Sequence, residues 1–170
     1  MSFWSGKRVA VTGGAGFVGS HVVDALLERD ADVTVIDQLS PHKQERIAHV
    51  RDRIRTLNLE LRMSGQADVF RDQDIVLHLA AETDVDRCEQ APAHAYTVNA
   101  IGTEHVVRAC RMGGSRILYM STAAVFDGAK PTPYLETDAP DPVNVYGRTK
   151  LAGEFTVRAS PAHRIVRAGW

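Results

Sequence analysis

A chain of 170 residues with 44% hydrophobic and 24% charged side chains is long enough to bury one core and too apolar to be a disordered tail. Its formal net charge of -1, with Lys and Arg scattered among acids, offers no field to draw nucleic acid or an anionic membrane. No run approaches the ~18 apolar residues of a membrane span, no signal-like stretch precedes the first glycines, and Cys88 and Cys110 lack CxxC or metal-ligand spacing; a soluble, cytoplasmic protein without a metal site is expected.

Short apolar runs alternate with longer amphipathic segments. Strands are expected at Arg8–Val11, Asp32–Ile36, Ile54–Leu57, Asp74–Leu79, Arg116–Met120 and Arg164–Val166. Several are too continuously apolar for a half-exposed antiparallel edge, which points to a parallel sheet covered on both faces. Helices are expected at Phe17–Arg29, Leu59–Phe70, Pro92–Met112 and Val143–Arg158, with Gly113 and Gly114 stopping the third. Pro131, Pro133, Pro140 and Pro142 exclude regular structure between Asp127 and Pro142, so a surface loop crosses there. The alternation implies right-handed crossovers and an α/β fold, a doubly wound parallel sheet of about six strands of the Rossmann kind.

Between the first strand and first helix lies "AVTGGAGFVGSH", in which Gly13, Gly16 and Gly19 follow a G-x-x-G-x-x-G spacing. Each has a distinct steric task. Gly13 makes a tight turn, Gly16 lets the backbone approach a pyrophosphate over the helix N-terminus, and Gly19 lets helix and strand pack closely. Asp37 ends the second strand, "ADVTVID", eighteen residues past Gly19. An acid there accepts from the ribose hydroxyls of an adenosine and repels a 2′-phosphate, which favours NAD over NADP. Further on, "NVYGRTKLAGE" places Tyr146 and Lys150 four apart on one helix face. A phenol near an ammonium can do acid-base chemistry, because a nearby cation stabilises the phenolate and lowers its pKa. Ser121 and Thr122, ending the strand in "LYMSTAAVF", offer a hydroxyl to polarise the same substrate oxygen.

Taken together, "TGGAGFVG", Asp37, "HLAAETDVDRCE", "VNAIGT", "STAAVF" and "YGRTKLAGE" resemble, in order along nearly the whole chain, the extended short-chain dehydrogenase/reductase family of nucleotide-sugar epimerases, dehydratases and reductases. The resemblance implies a catalytic set of Thr122, Tyr146 and Lys150, with Tyr146 as acid/base and Lys150 holding the nicotinamide ribose. Thr122 is preferred to Ser121 because it directly precedes the A-x-V-F segment. It also implies NAD lying against Gly13, Gly16, Phe17, Val18, Gly19, Asp37, Gln38, Asn58, Leu59, Leu79, Ala80, Ala81, Thr83, Asn99, Ser121, Tyr146 and Lys150. Asn58 stands where the family usually has an Asp that meets the adenine amino group.

Ala123 and Ala124 replace the Asp-Glu pair of family 4,6-dehydratases, which places dehydration last. The glycine loop and Asp37 resemble NAD-retaining 4-epimerases; "DVDRCE", "NVYGRTKLAGE" and "RIVRAGW" resemble dTDP-4-dehydrorhamnose reductases. The sequence ends at Trp170, where family members continue into a substrate-binding lobe, so residues 1–170 are expected to be the NAD-binding domain alone. The leading expectation is an NAD-dependent epimerase or oxidoreductase acting on a nucleotide sugar, with a homodimer compatible with it. Two alternatives stand beside it: a 4-keto-sugar reductase, and a non-catalytic module that binds a dinucleotide or a partner.

Overall fold

The computed structural model describes residues 2–62 and 67–169. Six parallel strands form one sheet in the order β3-β2-β1-β4-β5-β6, the doubly wound arrangement expected. They are β1 (Arg8–Thr12), β2 (Asp32–Asp37), β3 (Arg55–Asn58), β4 (Ile75–His78), β5 (Arg116–Thr122) and β6 (His163–Ala168). In the central strand, Val9, Ala10 and Val11 are all fully buried, so both pleat faces are covered, which explains why β1 reads as unbroken apolar sequence.

Alternate side chains of the strands feed two cores. On one face Val9, Val11, Val33, Val35 and Leu77 meet Val23, Leu26 and Leu27 of α1 (Phe17–Leu27). On the other, Ala10, Val76, Ile117 and Tyr119 meet Val106, Val107 and Cys110 of α5 (Gly102–Gly113) and Val157 of α6 (Val145–Arg158). A short turn joins α1 to β2: Asp30 adopts φ 59, and Ala31 N–H donates to the Leu26 carbonyl at 3.1 Å. Aspartate tolerates that left-handed region better than bulkier residues do.

Three features differ from the sequence expectation. Residues 59–62 are not helical; of the helix expected over Leu59–Phe70, only a 3-10 turn at Ala67–Phe70 is present, and residues 63–66 lie outside the described residues. Leu57, Leu59, Leu61 and Val69 pack against the α5 face, so their apolar spacing records a loop held on the core rather than a helix stripe. Besides the 3-10 turn at Ala123–Val125, three longer helical pieces escaped the reading: α2 (Pro41–Arg46), a 3-10 turn at Ala48–Arg53, and α3 (Val85–Gln90). Each has six residues, too few to show a period, although Asp84 caps α3 by accepting the Arg87 N–H at 3.0 Å.

The helix expected at Pro92–Met112 is present in three joined pieces: α4 (Pro92–Tyr96), a π turn at Thr97–Ile101, and α5. Gly114, in the left-handed region at φ 74, ends it as expected. The proline-rich loop is irregular but ordered by its own side chains. Tyr134 stacks on Phe126 with ring centroids 4.1 Å apart and donates its hydroxyl to Asp127 at 2.6 Å, and Lys130 pairs with Asp138. No described helix is long and apolar enough to cross a membrane.

Candidate active site

The C-terminal ends of β1, β2, β4 and β5 converge on one edge of the sheet, where ligands of such folds bind. β1 delivers the glycine loop there. Gly13 sits at φ 70, and a Cβ on it would lie 2.7 Å from the backbone nitrogen of Ala80. A Cβ on Gly19 would run into the Gly13 carbonyl oxygen. The loop is therefore pressed between β4's exit and α1, with Gly16 N–H donating to Gly13 at 2.9 Å. Phe17 is exposed and edge-on to His21, Val18 and Ala81 are half-buried, and the Leu79 and Ala80 backbone faces Gly13. Leu79 and Ala80 are held by N–H bonds to the Thr12 carbonyl and hydroxyl at 3.1 and 3.3 Å. The close backbone packing at Gly13 and Gly19 holds this loop bare of side chains at the N-terminus of α1, which fits the approach of a pyrophosphate.

Asp37 is buried at the end of β2. Its carboxylate accepts the Ala15 N–H at 3.1 Å and the Gln38 N–H at 2.7 Å, and pairs with Lys43 at 2.5 Å. The sequence reading placed no cation beside Asp37, so Lys43 is a missed residue; six positions downstream on an unrecognised helix, it gave no periodic signal. Asn58, exposed at the end of β3, accepts the Leu39 N–H at 3.1 Å through its side-chain carbonyl, the atom that would have to meet an adenine amino group. Leu59 follows, its N–H bonded to the Asp37 carbonyl at 3.0 Å.

A second missed residue is His78. It is buried in β4 between the Thr12 hydroxyl, 2.6 Å from Nδ1, and the Thr103 hydroxyl, 2.9 Å from Nε2. Burial, with the nearby Lys150 charge, pushes its pKa down to about 3, so the imidazole stays neutral and ties β1, β4 and α5 together. A histidine closing the apolar run "IVLH" was the available signal. Asn99, on the π turn, spends its amide inside the chain. Its carbonyl accepts the Glu82 N–H at 2.8 Å, and its NH₂ donates to the Glu82 carbonyl and the Thr149 hydroxyl, both at 2.9 Å. It fixes the loop carrying the exposed Thr83 against α6.

Ser121 and Thr122 point to opposite faces of β5, as strand neighbours must. The Ser121 hydroxyl donates to buried Glu154 at 2.6 Å and is fully engaged there. Thr122 accepts the Ala124 N–H at 3.1 Å, which leaves its own proton to give. On α6, capped by Asn144 accepting the Gly147 N–H at 2.7 Å, Tyr146 stands beside Thr122 and packs on Cys88, Ala95 and Val145. Burial raises the Tyr146 phenol above its ordinary value, with the Thr122 hydroxyl pulling the other way. Lys150 is buried one turn below, its ammonium 4.2 Å from the centre of the Tyr119 ring. Burial pushes its pKa down to about 7, while the Glu154 charge opposes that fall. The chain by itself therefore keeps the phenol protonated.

The RmlD substrate binding domain model matches residues 7–170. The chain belongs to that family. It is 36% identical over 174 residues to the dTDP-4-dehydrorhamnose reductase of Mycobacterium tuberculosis H37Rv, covering 96% of this chain and 50% of that protein. It thus spans about half the length of that relative. Among solved structures it resembles a UDP-N-acetylglucosamine 4-epimerase from Methanobrevibacter ruminantium in complex with UDP-N-acetylmuramic acid (TM-score 0.88, 28% identity, 96% of this chain and 55% of that one). It also resembles the dTDP-4-dehydrorhamnose reductase of Bacillus anthracis in complex with NADP (TM-score 0.82, 31% identity, 97% of this chain and 54% of that one). The relatives of this RmlD family member are thus sugar-nucleotide reductases, epimerases and 4,6-dehydratases, and its own sheet is the Rossmann sheet that they share.

Proposed function

We propose that this chain is the dinucleotide-binding and proton-handling half of a nucleotide-sugar reductase, working on a 4-keto sugar such as the one that its reductase relatives are named for. The observation that carries the reading is the pairing of Thr122 and Tyr146 at the sheet's C-terminal edge, and the reductase relatives named above favour reduction. A carbonyl being reduced needs a proton donor beside its oxygen; oxidation of an alcohol, with which an epimerase begins, needs a base.

The cradle of Gly13, Gly16 and Gly19 would hold the pyrophosphate of a nicotinamide dinucleotide, and Asp37 would face its adenosine ribose. Bound in reduced form, that cofactor supplies the hydride. Thr122, its oxygen anchored by the Ala124 N–H, donates to the sugar carbonyl and sets its position. Tyr146 gives its proton to the same oxygen as negative charge develops there. Lys150, charged as the phenolate forms, stabilises the Tyr146 anion until the phenol is re-protonated from solvent.

The test is turnover of a nucleotide 4-keto sugar with NADH, together with NADH affinity measured by calorimetry, for the parent and Tyr146→Phe. The variant lacks one hydroxyl, so it should bind NADH nearly as tightly and reduce the sugar ~10²-fold more slowly or worse. Undiminished turnover in Tyr146→Phe overturns the mechanism. Absence of NADH and NADPH binding by the folded parent overturns the dinucleotide reading itself.

A further inference from the structure

Tyr119 of β5 is fully buried on the face of the sheet that α5 and α6 cover. Lys150 Nζ lies 4.2 Å from the centre of its ring, the contact of an ammonium seated on an aromatic face. The far end of the same ring reaches the backbone of α6, where the Tyr119 hydroxyl donates to the Lys150 carbonyl at 3.4 Å. The helix makes room for it at Gly153, where a Cβ would run into the Tyr119 hydroxyl and ring. A glycine inside a helix is destabilising by itself, and this one is explained by the ring it admits. One aromatic side chain thus holds both the backbone and the ammonium of Lys150.

The other groups around the ammonium and the ring leave that seat uncontested. On the same helix, Glu154 spends its oxygens on Ser121, Arg158 and Arg167 of β6. Tyr146, one turn away, has its phenol raised by burial. From β4, His78 packs on the Tyr119 ring with centroids 5.5 Å apart and stays neutral, its pKa pushed down to about 3. α5 and the π turn bring the uncharged Thr103 and Asn99, and α3 brings Cys88, a thiol raised by burial. Among these groups Lys150 alone titrates near neutrality. An ammonium paired with a carboxylate has its charge cancelled, whereas one seated on a ring keeps it for use. In the function proposed above, on which this inference rests, Lys150 must meet the Tyr146 anion with that charge intact.

We propose that Tyr119 is a positioning residue for this reaction: its ring face seats the Lys150 ammonium one turn from Tyr146 and favours the charged form of the lysine in a place that burial would otherwise empty of charge. Tyr119 touches neither sugar nor cofactor in this role; it acts through Lys150.

The experiment follows the titration of Lys150 by NMR in the parent chain, through the Cε signal that Lys150→Met removes. Beside the parent stand Tyr119→Phe, Tyr119→Leu, and the chain carrying a trifluorinated phenylalanine at position 119, which keeps the shape of the Phe variant and drains electron density from its face. The parent should titrate near pH 7. Tyr119→Phe, with its ring intact, should follow the parent, while the fluorinated ring and Tyr119→Leu should titrate about one pH unit lower. A fluorinated ring that titrates with Tyr119→Phe overturns the proposal, because the ring would then only fill space, and this comparison holds even if Tyr119→Leu does not fold. A Tyr119→Phe that moves as far as the fluorinated variant overturns it too, by giving the effect to the hydroxyl. The measurement needs no turnover: if the titrations come out as expected while Tyr146→Phe keeps full activity, the seat of Lys150 stands and it is the proposed reaction that fails.

Discussion

Replacing Glu154 by glutamine keeps the length and shape of the side chain and removes only its charge. In the fold this carboxylate is wholly buried. It takes the Ser121 hydroxyl at 2.6 Å, two bonds from Arg167 at 2.8 and 2.6 Å, and one from Arg158 at 3.3 Å, so it ties α6 to both β5 and β6. Removing one partner of a buried ion pair costs ~3–5 kcal/mol, mostly because the other charge is left uncompensated. Arg167 keeps 15% side-chain exposure and a glutamine carbonyl can still accept from Ser121, so the expectation is lower than that range. We expect a loss of about 2–3 kcal/mol. At ~2–4 °C per kcal/mol for a domain of this size, melting should fall by roughly 4–12 °C.

Thermal unfolding of the parent, Glu154→Gln, Arg167→Met and the double variant at neutral pH measures this. The double variant should lose clearly less than the two singles added together, because neither charge is then stranded. Acid supplies a second readout. Burial pushes the Glu154 carboxyl up, but the hydrogen bonds from Arg167 and Ser121 and the charges of Arg167 and Arg158 outweigh it, so its pKa in the fold lies below the ordinary 4.5. A depressed folded value means the stabilisation is complete above the unfolded pKa and drains away as pH falls through the folded one. The gap between parent and Glu154→Gln should therefore close in acid, below pH ~4. A variant melting within about 1 °C of the parent at neutral pH, or strictly additive losses, would refute the reasoning.

Lys150 gives a pH prediction of opposite sense. Its pKa near 7 in the fold, against 10.5 unfolded, means the unfolded chain binds more protons between these values, so stability should rise as pH increases from 7. Lys150→Met should flatten that rise between pH 7 and about 8.5; above it the buried thiols Cys88 and Cys110, both raised by burial, act the other way. A parent whose melting temperature is flat or falling across that interval would show that the ammonium is not buried as described. Gly19→Ala drives a methyl group into the Gly13 carbonyl, so the loop must open. We expect ~1–3 kcal/mol of destabilisation and a loss of dinucleotide affinity of tenfold or more, checked by melting and fluorescence titration; parent-like binding would contradict the tight loop.

Much of the frame was legible because parallel strands buried on both faces leave unbroken apolar runs, and because "TGGAGFVG" changes the local rules for a stated steric reason. The sheet, the glycine turn, the proline-rich loop and the Gly114 stop follow from such signals. The segment after Leu59 did not, since leucines pinning a loop to a core look like a helix stripe when only spacing is visible. Lys43 and Glu154 lay beyond reach for another reason. Each owes its role to a partner brought close by folding, from six to dozens of residues away, and no local pattern encodes that meeting.

The opposed directions of Ser121 and Thr122 make the pairing register of β5 a chemical variable. In the present register Tyr119 stands opposite Ile165 and Ser121 opposite Arg167, so the hydroxyl that anchors Glu154 and the hydroxyl beside Tyr146 fall on different sides. Slipping β5 by one position would exchange them, presenting a reactive hydroxyl to the interior and leaving the buried carboxylate facing a threonine of the wrong reach. A single inserted or deleted residue in Arg116–Thr122 would thus erase stability and catalysis in one stroke. The same change in the proline-rich loop, which carries no alternation to preserve, would disturb only that loop's own contacts, such as Tyr134 on Phe126 and Lys130 with Asp138.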